Sequence, residues 1–138
     1  MDSNHREEIK EELKEEMKVE TKRLVNSFKY AGTGIFTSLK KEKNMKIHLM
    51  AVLVVIILGI VLKISALEWI ACVILFAGVI GSEMFNTAIE TVVDMVMPYK
   101  NDKAKIAKDV AAGGVLVWAI ASIIIGGIIF IPKIIELF

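Results

Sequence analysis

The chain has 138 residues, 55% hydrophobic and 24% charged, with a mean hydropathy of +0.60. So short a soluble domain cannot enclose that much apolar surface, which excludes an ordinary water-soluble globule and points to a membrane. A formal net charge of +1 offers no electrostatic basis for nucleic-acid binding, and a single cysteine, Cys72, excludes an internal disulfide framework or a cysteine-based zinc cluster.

Residues 1–22 form a charged extension, read as a solvated helix. Eight of the sixteen acids lie in residues 1–23, interleaved with lysine and arginine. Glu7 with Lys10, Glu11 with Lys14 and Glu15 with Lys18 have the i,i+3 spacing that places opposite charges together, each pair contributing about 0.2–0.5 kcal/mol. Ile9, Leu13 and Met17 give it a thin apolar stripe. The N-terminus carries no apolar run of signal-peptide type, so insertion is expected to depend on internal segments.

From residue 24 to 41 the pattern becomes amphipathic. Leu24, Val25, Phe28, Ile35, Phe36 and Leu39 suit the membrane surface, with lysines facing phosphates and a break expected near Gly32 and Gly34. The first span, about 46–63, holds the uncharged run Ile47 to Leu62 between Lys46 and Lys63. The second runs from about 68 to 97, where Pro98 ends it, and the third from about 108 to 131, stopped by Pro132. The expected fold class is an all-α membrane protein: three transmembrane helices and an N-terminal amphipathic surface helix. Cys72 reads as buried apolar filler, and Trp118, in mid-span, as packed against a neighbouring helix.

Of the seventeen lysines and arginines, eleven precede the first span and four lie at 100–108, leaving Lys63 and Lys133 on the other side. The positive-inside rule then puts the N-terminus and the 98–108 loop in the cytosol of a multi-pass protein.

Chemistry concentrates on the second span. Glu83, Asn86, Glu90 and Asp94 fall within an arc of about 80° at helical periodicity. With Glu68 at the outer surface, Glu83 lies about 22 Å inward and Glu90 about 33 Å, near the inner boundary of the hydrocarbon. Lys108 and Asp109 enter the third span at that level, and Glu42 precedes the first span there too. Oxygen ligands of this kind suit Mg²⁺ bridging nucleotide phosphates, a lysine steadies phosphate charge, and a carboxylate accepts a proton from a hydroxyl. Spacing by itself leaves catalysis and transport both open, since ionisable groups at lipid depth are costly and serve either. His48 reads as an interfacial histidine with its hydrogen bonds satisfied. Gly113-Gly114 reads as helix packing, because no Walker-type phosphate loop occurs.

The run Glu83-Met-Phe-Asn86-Thr-Ala-Ile-Glu90-Thr-Val-Val-Asp94, followed by Ala104-Lys-Ile-Ala-Lys108-Asp109-Val-Ala-Ala-Gly113, resembles the prokaryotic diacylglycerol kinase and undecaprenol kinase family of small integral membrane enzymes. The resemblance covers about residues 23–131, including Phe28-Lys-Tyr30-Ala-Gly-Thr-Gly34 and Glu42-Lys-Asn44-Met-Lys-Ile-His48. It implies a homotrimer in the bacterial inner membrane, with composite sites that use MgATP to phosphorylate a lipid alcohol. Residues 23–138 would then be the lipid kinase domain.

By the same resemblance Glu83 is similar to the base for the lipid hydroxyl, and Glu42 and Glu90 to the metal-binding carboxylates. Asn86 and Asp94 would organise nucleotide and metal, Lys108 would contact ATP phosphates, and Asp109 would hold the site together. Arg23, Tyr30 and Gly34 match surface-helix positions near nucleotide or lipid. The motifs look more like the Gram-positive branch, which favours undecaprenol, than the branch that favours diacylglycerol. A transporter lined by the 83–94 stripe and a membrane scaffold built on the N-terminal helix are the competing classes. Residues 1–22 exceed the usual family N-terminus, and the 98–103 loop lacks a histidine common in relatives.

Overall fold

The computed structural model describes residues 3–137, with side chains from residue 10 onward. It is all-helical: α1 (Ser3–Lys41), α2 (Lys43–Val61), α3 (Ala66–Val96) and α4 (Asp102–Ile135). Residues up to Thr37 form one compact unit, and Ser38 onward forms a second.

α1 is one continuous helix of 39 residues, without the break expected near Gly32 and Gly34. Each glycine costs a helix interior about 1 kcal/mol, too little to stop a long run of good helix formers. The expected Glu15–Lys18 ion pair forms on this helix. The Glu7–Lys10 pair and the Ile9 side chain lie outside the described residues.

α2, α3 and α4 are the three helices long and apolar enough to cross a membrane. Their outward faces carry large exposed apolar side chains, among them Leu67, Phe85 and Ile123. In water such faces would drive aggregation, whereas in lipid they are matched by the solvent.

Local chemistry sets each boundary. α2 ends in a Schellman motif: Ile64 N–H donates to Gly59 O at 3.1 Å and Lys63 N–H to Ile60 O at 3.3 Å. The motif needs a left-handed residue, and here that residue is Lys63, at φ 49°. α3 opens with a capping box in which Ser65 Oγ accepts from Glu68 N–H and Ser65 N–H donates to Glu68 Oε2. It ends where Met97, preceding Pro98, is pushed into extended backbone at φ −133° and ψ 78°. Asn101 caps α4, its Oδ1 accepting from the N–H groups of Lys103 and Ala104.

α4 therefore begins at Asp102, earlier than the span boundary expected near 108, because polar first turns form outside a hydrocarbon layer. It also runs through Pro132 to Ile135. The ring removes one N–H donor with only a turn of helix remaining, so it does not end the helix.

α3 and α4 pack as an antiparallel hairpin, with α2 against α3. An ion pair marks each end of that hairpin. Glu68 meets Lys133 at 3.2 Å, and Asp94 meets Lys108 at 2.5 Å. The intervening stretches of 26 and 25 residues rise about 39 and 38 Å, so both pairs close in one register. Ile64, Cys72, Ile129 and Phe130 form the buried cluster near the Glu68 end, with Cys72 as apolar filler there.

Candidate active site

Four polar residues descend one face of α3, as their spacing requires. Burial falls along the row: Glu83 is 1% exposed and Asn86 6%, Glu90 is half-buried, and Asp94 is exposed. Asn86 Nδ2 donates to Glu90 Oε1 at 3.3 Å, one helical turn on. Glu83 Oε1 and Asn86 Oδ1 have no hydrogen-bond partner although both are buried. Leaving such oxygens unmatched costs of order 1–3 kcal/mol each, more for a charged group, which makes the pair a candidate binding locus.

Glu83 and Asn86 line a cavity of about 280 Å³ together with Asn44, Ile47 and His48 of α2 and Ala112, Val115, Leu116 and Ala119 of α4. His48, Glu42 and Glu90 are the charged or titratable groups close enough to act electrostatically on Glu83. A second cavity, of about 290 Å³, continues between the same three helices and shares His48 and Ala119 as walls. Its remaining lining is almost wholly apolar, including Val52, Leu75, Phe76 and Phe130. A cavity lined by a buried carboxylate thus adjoins a greasy slot, an arrangement suited to a molecule with one polar end and one long apolar end.

Asp94, Lys108 and Asp109 line a third pocket, of about 480 Å³, formed with the Met97–Asp102 turn and carrying Lys100 and Lys105 as well. Lys108 is fixed by Asp94 and also feels Glu90, which links this pocket, lined by three lysines and three aspartates, to the row on α3. Glu42 sits at the α1–α2 junction as N-cap of α2. Arg23, Tyr30 and Gly34 lie exposed on α1 in the first unit. Among the described residues, no three of His, Cys, Asp and Glu converge as a closed metal cage.

A family model for prokaryotic diacylglycerol kinase matches residues 29–130, well over half of the chain. The chain belongs to that family. It is a lipid kinase, and two of its relatives are matched over more than nine-tenths of their length. It is 41% identical over 134 residues to undecaprenol kinase of Bacillus subtilis strain 168, an alignment covering 96% of this chain and 99% of that one. It is 36% identical over 115 residues to diacylglycerol kinase of Synechocystis, covering 83% of this chain and 66% of the relative. Against diacylglycerol kinase of Haemophilus influenzae it is 30% identical over 108 residues, covering 78% and 92% respectively. Because the first alignment leaves only about 4% of the chain outside it, most of residues 1–22 fall within the compared region.

The sequence singled out the row on α3 and the Lys108-Asp109 pair. It did not foresee that His48, expected as a satisfied interfacial residue, lines both cavities beside Glu83. The available signal was its spacing: His48 lies four residues after Asn44, hence on the same face of α2.

Proposed function

We propose that this kinase transfers the γ-phosphate of ATP to the hydroxyl of undecaprenol, at the cytosolic surface of a bacterial inner membrane. One observation carries the reading: the cavity lined by Glu83, whose Oε1 is buried and unpartnered, adjoins an apolar slot between α2, α3 and α4, the two sharing His48 and Ala119 as walls. The slot takes the hydrocarbon of the acceptor, and the polar cavity takes its alcohol.

Glu83 Oε1 accepts the hydroxyl proton as the alcohol oxygen bonds to the γ-phosphorus. The bond from that phosphorus to the bridging oxygen breaks and ADP leaves. Lys108, held by Asp94, neutralises phosphate charge from the pocket it shares with Lys100 and Lys105. Asp109, beside it, keeps that pocket in place.

The donor set fits Mg²⁺: the carboxylates of Glu42 and Glu90 and the unpartnered Asn86 Oδ1 are hard oxygens, and an ion that retains waters and phosphate oxygens needs few protein ligands. When bound, the ion supplies charge neutralisation across the β- and γ-phosphates.

We further infer a homotrimer with sites shared between neighbours, and residues 23–138 as the catalytic domain. Within it, residues 24–41 of α1 lie on the membrane surface and bring Arg23, Tyr30 and Gly34 to nucleotide or lipid. The cytosolic placement of the N-terminus and the 98–108 loop follows from the lysine and arginine distribution.

Identity to the Bacillus subtilis enzyme favours undecaprenol. The family model and the two diacylglycerol kinases support diacylglycerol as the second reading. Purified protein given Mg²⁺, labelled ATP and equal undecaprenol and diacylglycerol distinguishes them. Label in undecaprenyl phosphate is the expected result, and label in phosphatidic acid alone reverses the assignment.

A further inference from the structure

We infer that Lys41 is a positioning residue for Glu42, acting through a hydrogen bond to Thr91 on α3. Glu42 is the single non-helical residue between α1 and α2, at φ −100° and ψ 125°. Its N–H donates to Ser38 O at 3.0 Å, which fixes its backbone to the end of α1. Its own side chain makes no capping bond to α2, so nothing in Glu42 itself fixes that junction against α3.

The neighbouring side chain does. Lys41 Nζ donates to Thr91 Oγ1 at 3.1 Å, fifty residues away in sequence. Thr91 is a prepared acceptor, because its hydroxyl proton is already committed to Thr87 O at 2.8 Å, leaving its lone pairs for the ammonium. Thr87 is anchored in the same way, to Glu83 O at 2.9 Å. The two hydroxyls lie one and two turns beyond Glu83 on α3. Thr91 directly follows Glu90, so the bond ties the residue before Glu42 to the residue after Glu90. The Lys41–Thr91 bond directly joins the segment that carries Glu42 to the one that carries Glu90, and this tether shortens the search each must make for a shared cation.

The inference rests on the reading of Glu42 and Glu90 as the Mg²⁺ carboxylates. Thr91→Val is the decisive variant, since it removes the acceptor at nearly constant shape and leaves the Lys41 charge in place. Thr91→Ser restores a hydroxyl. Full-length protein carrying each of these, Lys41→Met and Glu42→Gln is titrated with Mn²⁺ in the presence of a non-hydrolysable ATP analogue. Free Mn²⁺ is read by electron paramagnetic resonance, and lipid KM is measured in parallel.

Thr91→Val and Lys41→Met should each weaken Mn²⁺ binding about 5- to 10-fold, the loss of one charge-assisted bond, with lipid KM unchanged and the double variant no worse than either single. Thr91→Ser should bind within about twofold of the parent, as the restored acceptor requires. Amide exchange at residues 42–45 without metal should speed up in Thr91→Val. Parent-like Mn²⁺ binding in Thr91→Val, alongside weakened binding in Glu42→Gln, overturns the tether alone. Parent-like binding in Glu42→Gln overturns the metal assignment and the tether with it.

Discussion

Trp118 on α4 lies flat against Gly78 on α3, so closely that a Cβ at position 78 would come within 2.2 Å of indole Cε3. The contact sets the separation of the two helices that carry Glu83 and Lys108. Large aromatic and absent side chain are complementary here, which is how helices approach closely in lipid where apolar burial offers little drive. Gly78→Ala should destabilise the hairpin by about 1–3 kcal/mol through overpacking. Thermal unfolding in detergent measures this. The double variant Gly78→Ala with Trp118→Leu should recover part of the loss, revealing the coupling between the sites.

Glu83→Gln should reduce turnover by at least about 100-fold while leaving unfolding temperature and oligomer size near the parent values. The amide keeps the shape of the buried side chain and removes its capacity to take a proton. Turnover close to the parent rate would remove Glu83 as the acceptor.

His48 borders both the polar cavity and the apolar slot. His48→Leu should raise lipid KM or lower kcat by about tenfold, the scale of one lost hydrogen bond, with ATP KM unchanged. Steady-state kinetics with lipid and nucleotide varied separately read this directly.

The two ion pairs of the hairpin should behave differently. Lys108→Met should raise ATP KM and lower kcat, because the side chain lines the pocket at the Met97–Asp102 turn as well as pairing with Asp94. Lys133→Met, at the far end with Glu68, should leave both constants unchanged and alter stability only slightly, as accessible ion pairs do.

Lys63 carries the left-handed conformation that ends α2, with φ 49°. Glycine adopts that conformation without the steric cost of a Cβ, so Lys63→Gly should raise stability by up to about 1 kcal/mol. Lys63→Val should lower it by more than that gain, since a β-branched residue tolerates positive φ poorly. Unfolding temperature is the measurement for both.

Periodicity and charge placement determine much of this protein without reference to any fold. Three stretches are long and apolar enough to cross a membrane, and the spacing of Glu83, Asn86, Glu90 and Asp94 aligns them on one helical face whatever surrounds the helix. The tertiary structure decides what those groups meet. That Trp118 seats on Gly78, that Lys41 reaches Thr91, and that His48 stands between a polar cavity and an apolar slot depend on how separate helices register against one another. Local sequence governs bonds within about one helical turn, whereas these contacts join residues 40 and 50 positions apart or surround a shared cavity. The uninterrupted course of α1 past Gly32 and Gly34, and of α4 past Pro132, has the same origin: local breakers cost a kcal/mol or a few, and a long helix absorbs that.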